Sequence, residues 1–264
     1  MPREYIYGPF QSRRLGLSLG INVLLKYKTC TFNCVYCEIG NTEKIVSPNF
    51  RINSPPSLSF RKELTDILKY FPHLNSLTFG YNGEPTLNNN LVDFLKITSE
   101  VREKFNWKGH KPLLTLFTNS STLYFKEIRQ RVKQFEFVLA KLDTATEEDF
   151  KRTNRPHKEA SDINTIINSL VKLKEEMPID HKLAIQCLLY NSYAKNFISN
   201  TNLQNLNSLG QAIRKIQPDS VQIYSIARIP AEYFVYAISE DEKREIKQKL
   251  KNIIQNDNIK IDYF

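Results

Sequence analysis

Cysteine is scarce in this chain, with four in 264 residues. The opening Met-Pro-Arg-Glu-Tyr-Ile-Tyr-Gly has no apolar core of the kind that directs secretion. Together these two features exclude a disulfide framework and point to a reducing cytoplasm. No run approaches the ~18 consecutive apolar residues of a membrane helix. The four histidines, His73, His110, His157 and His181, share no metal-ligand spacing and read as structural or surface residues. No internal repeat and no clear linker is visible, so residues 1–264 are expected to form one domain. Its core is expected over about 20–228, with 229–264 adding a helix and a terminal strand. Apolar residues make up 41% and charged residues 25%, normal for a soluble globular chain. The net charge of +9 favours an anionic partner such as nucleic acid.

Scarce as it is, the cysteine is concentrated. Cys30, Cys34 and Cys37 fall in one stretch, Cys30-Thr-Phe-Asn-Cys34-Val-Tyr36-Cys37, spaced CxxxCxxC. Thiolates are soft ligands for zinc or iron–sulfur clusters. Three are one too few for the all-cysteine sites usual for structural zinc or a fully ligated cubane. Such a set leaves a metal position open for chemistry. The fourth cysteine, Cys187, sits in an apolar run and reads as core.

The rest of the chain alternates between two periods. Apolar runs at Ile21–Tyr27, Leu74–Phe79, Leu113–Phe117, Phe135–Leu142, Lys182–Tyr190 and Ser220–Ile226 read as buried strands. Helical periodicity separates them. Caps are expected at Ser59, at Thr144 with Glu147, at Asp162, and at Ser239 with Glu242. A short strand through Ile259, Ile261 and Tyr263 closes the chain. Strict alternation implies an α/β fold with a parallel sheet and right-handed crossovers, and six units form an open or partial barrel. Residues 1–20 read as a lead-in in which Gly16 and Gly20 mark turns, and Arg13-Arg14 suggests an anion contact set against simple solvation. The cysteine loop follows the first strand directly, where parallel folds carry their active-site loops.

These residues resemble the radical SAM superfamily. Its signature is a CxxxCxxC loop after the first strand of a partial (βα)6 barrel, with an aromatic residue, here Tyr36, before the last cysteine. A glycine–glutamate turn after the second strand is its other mark, here Asn82-Gly83-Glu84-Pro85. Four further stretches resemble the branch of small iron–sulfur oxidoreductases grouped with tRNA wyosine synthases: Ser12-Arg13-Arg14-Leu-Gly16-Leu-Ser-Leu-Gly20-Ile-Asn22, Leu142-Asp143, Asn154-Arg155-Pro156-His157 and Arg228-Ile-Pro230-Ala-Glu232.

The resemblance implies that Cys30, Cys34 and Cys37 ligate three irons of a [4Fe-4S] cluster. S-adenosyl-L-methionine then chelates the fourth iron, and an external one-electron donor drives its cleavage to a 5′-deoxyadenosyl radical. It further implies that Glu84, with the Asn82-Gly83 backbone, holds the ammonium of S-adenosylmethionine, and that Tyr36 packs near the adenine. Asn119, Lys141, Asp143 and Gln186, at the ends of strands three to five, are expected among ribose, carboxylate and substrate contacts. With the basic balance, the branch points to a tRNA nucleoside or another anionic substrate. The wyosine enzyme's second cluster cannot be built here, because only Cys187 remains. A single-cluster enzyme acting on a small molecule, or as a glycyl-radical activase, is the alternative. A non-enzymatic metal-bound RNA-binding module is a third reading.

Overall fold

The computed structural model describes residues 3–24 and 27–264. An eight-stranded sheet runs in the order β1(Ile6–Ser12), β2(Gly16–Ile21), β3(Ser76–Phe79), β4(Leu113–Thr118), β5(Phe137–Lys141), β6(Lys182–Leu188), β8(Ser220–Tyr224) and β10(Lys260–Tyr263). From β2 to β10 every pairing is parallel; only β1 is antiparallel, forming a hairpin with β2. Strands adjacent in sequence are adjacent in space once two short strands outside this sheet, Tyr190–Ser192 and Val235–Ala237, are set aside. This singly wound order curls a sheet towards a barrel rather than the reversed order of a doubly wound one. It is the partial parallel barrel that the alternation predicts.

Both sheet faces are covered, which explains why the strands read as continuous apolar runs. In β6 every residue from Leu183 to Leu188 is buried. The connecting helices α1(Leu58–Leu68), α2(Leu91–Lys104), α3(Lys126–Val132), α4(Glu147–Asn154), α5(Ile163–Glu176), α6(Leu203–Ile216) and α7(Glu240–Ile254) pack against one another along the outside. A separate two-stranded ribbon joins β7(Tyr190–Ser192) to β9(Val235–Ala237). Among the described residues no helix is long and apolar enough to cross a membrane.

Four sequence expectations shift. The first parallel strand is Gly16–Ile21, not Ile21–Tyr27, and of that expected run Leu25 and Lys26 lie outside the described residues. The glycines disguised the strand. Gly16 does turn, with φ +68°, but Gly20 lies inside the strand, where a Cβ would fall 2.0 Å from Cζ of Tyr7. The first helix begins at Leu58 with Ser57 rather than Ser59 in the N-cap position, and the Ser57 side chain makes no cap bond, lying instead 2.6 Å from Ser59 Oγ. The cap of α4 is Thr146, accepting from the Asp149 N–H, while residues 142–145 belong to no helix and Thr144 Oγ1 instead meets Asn154 Oδ1 at 3.2 Å. Helix α6 starts at Leu203, inside the stretch 191–205 that reads as loop, with Asn202 as its cap. Asp162 and the Ser239/Glu242 capping box stand as expected.

Candidate active site

The carboxyl ends of β3, β4, β5 and β8 open onto one cavity of about 610 Å³. Cys30, Cys34 and Cys37 all line it. Between them, Phe32 and Val35 turn inward and are buried, Phe32 meeting the edge of Phe150 at 5.3 Å. The loop is tied at several points. Asn33 N–H donates to the Asn154 carbonyl, Val35 N–H to the Thr153 carbonyl, and Thr31 Oγ1 lies 2.7 Å from Ser121 Oγ. Apolar residues inward and ties outward leave the sulfurs facing the cavity.

Each sulfur has its own nitrogen donor. Asn119 Nδ2 lies 3.4 Å from Cys30 Sγ, Asn154 Nδ2 lies 3.5 Å from Cys34 Sγ, and Lys28 Nζ lies 3.2 Å from Cys37 Sγ. Burial pushes the Cys30 thiol up to about 12 and the Cys34 thiol up to about 11. Burial thus disfavours the free thiolate at both positions. Among the described residues no three His, Cys, Asp or Glu converge as a single metal ion requires. A cluster, by contrast, takes each thiolate on a different iron.

The glycine–glutamate turn is spliced to this loop. Thr29 N–H donates to the Asn82 carbonyl at 2.8 Å and Glu84 N–H to the Thr29 carbonyl at 3.0 Å. Gly83, at φ +126°, lies so close that a Cβ would stand 1.8 Å from the Thr29 carbonyl oxygen. Gly83 lines the cavity, whereas Asn82 and Glu84 do not. Glu84 is fully buried, and its Oε1 accepts from Thr86 N–H, Thr86 Oγ1 and Thr118 Oγ1 at 3.2, 2.6 and 2.9 Å. Its Oε2 accepts from Asn119 N–H at 2.5 Å. Burial raises its pKa, and those hydrogen bonds oppose the rise. Here the carboxylate fastens the turn to the end of β4, and what faces the cavity is the Gly83 backbone.

A second polar knot adjoins Cys34, reached through Tyr36 and Asn154. The Tyr36 hydroxyl donates to Asp143 Oδ2, and the Leu188 N–H donates to Asp143 Oδ1 at 2.7 Å. Lys141 Nζ stands 3.4 Å from Asp143 Oδ1 and 4.6 Å from the Tyr36 ring centroid, and donates to the Tyr224 hydroxyl at 2.7 Å. Burial works against the Lys141 ammonium, but Asp143 and Tyr224 outweigh it and hold the pKa above its ordinary value. Burial, with Asp143 beside it, raises the Tyr36 phenol well above its own.

The structure therefore gathers Cys30, Cys34, Cys37, Tyr36, Gly83, Asn119, Lys141 and Asp143 on one cavity. Gln186 does not line it; the residue is fully buried, donating from Nε2 to Gln222 Oε1 at 2.8 Å, with its own Oε1 unpartnered. Cys187 is core. The expected set omits Lys28, Asn154, Arg14 and Tyr224, all of which line the cavity. Asn154 and Arg14 stand within quoted motifs, which was the available signal; Lys28 and Tyr224 carried none.

A comparison with family models returns no match. The chain is 28% identical over 243 residues to a protein named GTPase Obg from Brachyspira hyodysenteriae, covering 92% of this chain and 33% of that protein. It is 28% identical to a UPF0026 protein of Helicobacter pylori, covering 90% of this chain and 70% of that one. Among solved structures, Streptococcus suis SuiB bound to S-adenosylmethionine superposes on 90% of this chain and 48% of its own, with TM-score 0.59 and 15% identity. That likeness shows the fold. The chain thus spans a third of the first relative and about half of the structural neighbour. It contains no GxxxxGK[S/T] phosphate loop, so the GTPase name finds no support in its residues.

Proposed function

We propose that this chain is a radical SAM enzyme that acts on a nucleoside of tRNA. The observation that carries the chemistry is the set of three cysteine sulfurs on one cavity wall, each with its own N–H donor and with the Gly83 backbone locked against their loop. This donor set fits a [4Fe-4S] cluster held by Cys30, Cys34 and Cys37, with one iron left for S-adenosylmethionine. When bound, the pair supplies a 5′-deoxyadenosyl radical by one-electron cleavage of the sulfonium–C5′ bond.

The protein's part is to bind, orient and exclude water. Asn119, Asn154 and Lys28 donate to the thiolate sulfurs, which sets the potential at which the site accepts an electron. Gly83, lacking a side chain, lets a ligand ammonium approach the backbone, and Glu84 holds that backbone in place. Lys141, kept cationic beside Asp143, offers a counter-charge for a ligand carboxylate. Tyr36 closes the wall behind it.

The tRNA assignment is supported by the net charge of +9, by Arg13 and Arg14 at the cavity, which have no acidic partner among the described residues, and by the resemblance of the Ser12–Asn22 and Asn154–His157 stretches to the wyosine branch. A small-molecule substrate is the second reading, favoured by a cavity volume within the range of small-ligand sites, about 300–1,000 Å³. The experiment that separates them supplies bulk tRNA, protein extract and small-metabolite fractions separately, each grown in deuterium, and follows deuterium into 5′-deoxyadenosine. Transfer from the tRNA fraction, with tRNA binding that weakens steeply as salt rises, is the expected outcome. Transfer only from the metabolite or protein fraction assigns the substrate elsewhere.

A further inference from the structure

Besides the cysteines, Lys28 and Gly83, the cavity is lined by three residues of the β1–β2 hairpin, Tyr7, Arg13 and Arg14, and by Tyr81 and Tyr224. The Arg14 guanidinium lies 4.1 Å from the Tyr224 ring centroid. That stacking fixes the plane of the guanidinium but satisfies none of its N–H groups. Arg14 Nη1 is buried and has no hydrogen-bond partner.

Each of the other cations of the wall already has a partner among the described residues. Lys141 faces Asp143 at 3.4 Å, Arg228 stands 4.0 Å from Glu38, and Lys28 bonds Cys37 Sγ. Among the described residues neither Arg13 nor Arg14 has an acidic partner. An unmade hydrogen bond on a buried charged donor is expensive unless something arrives to make it. A guanidinium fork held flat and weakly hydrated is suited to the oxygens of a phosphate. The neighbouring wall is aromatic, with the Tyr7 and Tyr81 rings 4.6 Å apart and inclined by 32°. Tyr7 itself reaches this position only because Gly20 beneath it has no side chain. A flat ring system beside an anion is the shape and charge that this part of the lining matches, and exposed aromatic faces stack on bases of any sequence.

We propose that the hairpin part of the cavity lining is a nucleotide subsite, in which Arg14 takes a phosphate and the Tyr7–Tyr81 pair takes the base. The inference rests on the RNA reading above and deepens it, by naming the part of the substrate bound by the hairpin. Calorimetric titration of the full chain with the four nucleoside 5′-monophosphates, their nucleosides and inorganic phosphate tests it, with no reductant present. At least one monophosphate is expected to bind about tenfold or more tightly than its nucleoside, and Arg14→Gln to remove that advantage. Arg14→Lys, which keeps the charge but loses the fork, is expected to fall between. Affinity for S-adenosylmethionine is expected to be unaltered in both.

Equal binding of nucleoside and monophosphate overturns the proposal, and that comparison needs only the wild-type chain if Arg14→Gln fails to fold. Loss of S-adenosylmethionine affinity in Arg14→Gln also overturns it, because it would assign Arg14 to the cofactor's carboxylate. Since no cleavage is measured, the subsite can fail while the radical chemistry stands, and the reverse.

Discussion

Charge is buried at both ends of the parallel strands, but on different terms. At the amino ends, Glu136 accepts from Arg102 Nη1 and Nη2 at 2.7 and 2.8 Å and from the Leu114 N–H at 2.9 Å. Asp219 takes Lys174 at 2.6 Å and the Leu183 N–H at 2.8 Å, and Arg129 meets Glu176 at 2.9 Å. Glu136 and Asp219 tie helices to strand starts, Glu176 ties α5 to α3, and Arg102 leaves only its Nε unpartnered. At the carboxyl ends the groups keep spare capacity, with three thiols holding a donor each and a bare Gly83 backbone, and Arg14 brings a free N–H to the same cavity from the β1–β2 turn. Saturated polar groups hold a fold together; groups left one bond short mark where a ligand belongs.

The comparison can be broken at either end. The largest expected effect is from Gly83→Ala. Its Cβ would meet the Thr29 carbonyl, and the backbone φ of +126° is strained for any side chain. A loss of about 2–3 kcal/mol by urea unfolding is expected, together with loss of iron on reconstitution, because the splice positions the cysteine loop. Unchanged stability would mean that the turn and the loop are independent.

At the closed end, Glu136→Gln is expected to cost about 1–2 kcal/mol by removing a charge-assisted fork, with cofactor binding untouched. Burial pushes the Glu136 carboxyl up, but Arg102 and the Leu114 N–H outweigh burial and hold it below its ordinary value. A depressed folded pKa means that the unfolded chain binds the proton more readily. The contribution is therefore present above the ordinary carboxylate range and lost as pH falls through the folded value. Wild type and variant should converge in stability once the pH falls below that folded value. A gap that persists there would show that the effect is packing rather than charge.

The smallest effect sharpens the open end. Asn154→Leu removes a donor to Cys34 while leaving all three thiols. Donors to sulfur favour the more reduced, more negative cluster, so the variant should reconstitute fully but titrate at a more negative potential by EPR. An unshifted potential would make Asn154 a spacer only.

Much of this division was legible in the sequence. The CxxxCxxC spacing and the Gly83 turn are local patterns, and the run of β6 announces a doubly covered strand. What escaped notice depended on contacts across the fold. Glu84 stands in a motif, yet its two oxygens are filled by Thr86, Thr118 and Asn119, residues that spacing alone cannot bring to it. Lys28 reaches Cys37 only because the loop folds back on itself. The β2 strand was hidden by Gly20, whose reason is the Tyr7 ring from another strand. Gln186 was expected at a strand end, but it lies inside β6, and its side chain meets Gln222 instead of the cavity.

The central claim is that Cys30, Cys34 and Cys37 build one cluster whose open iron takes S-adenosylmethionine. Anaerobic reconstitution followed by reduction with S-adenosylmethionine present tests it most directly, wild type beside Cys34→Ala. Wild type should hold about four irons with matching sulfide and release 5′-deoxyadenosine, while Cys34→Ala should do neither. A wild-type chain that binds one zinc and no sulfide, or that holds the cluster yet leaves S-adenosylmethionine intact, would contradict it.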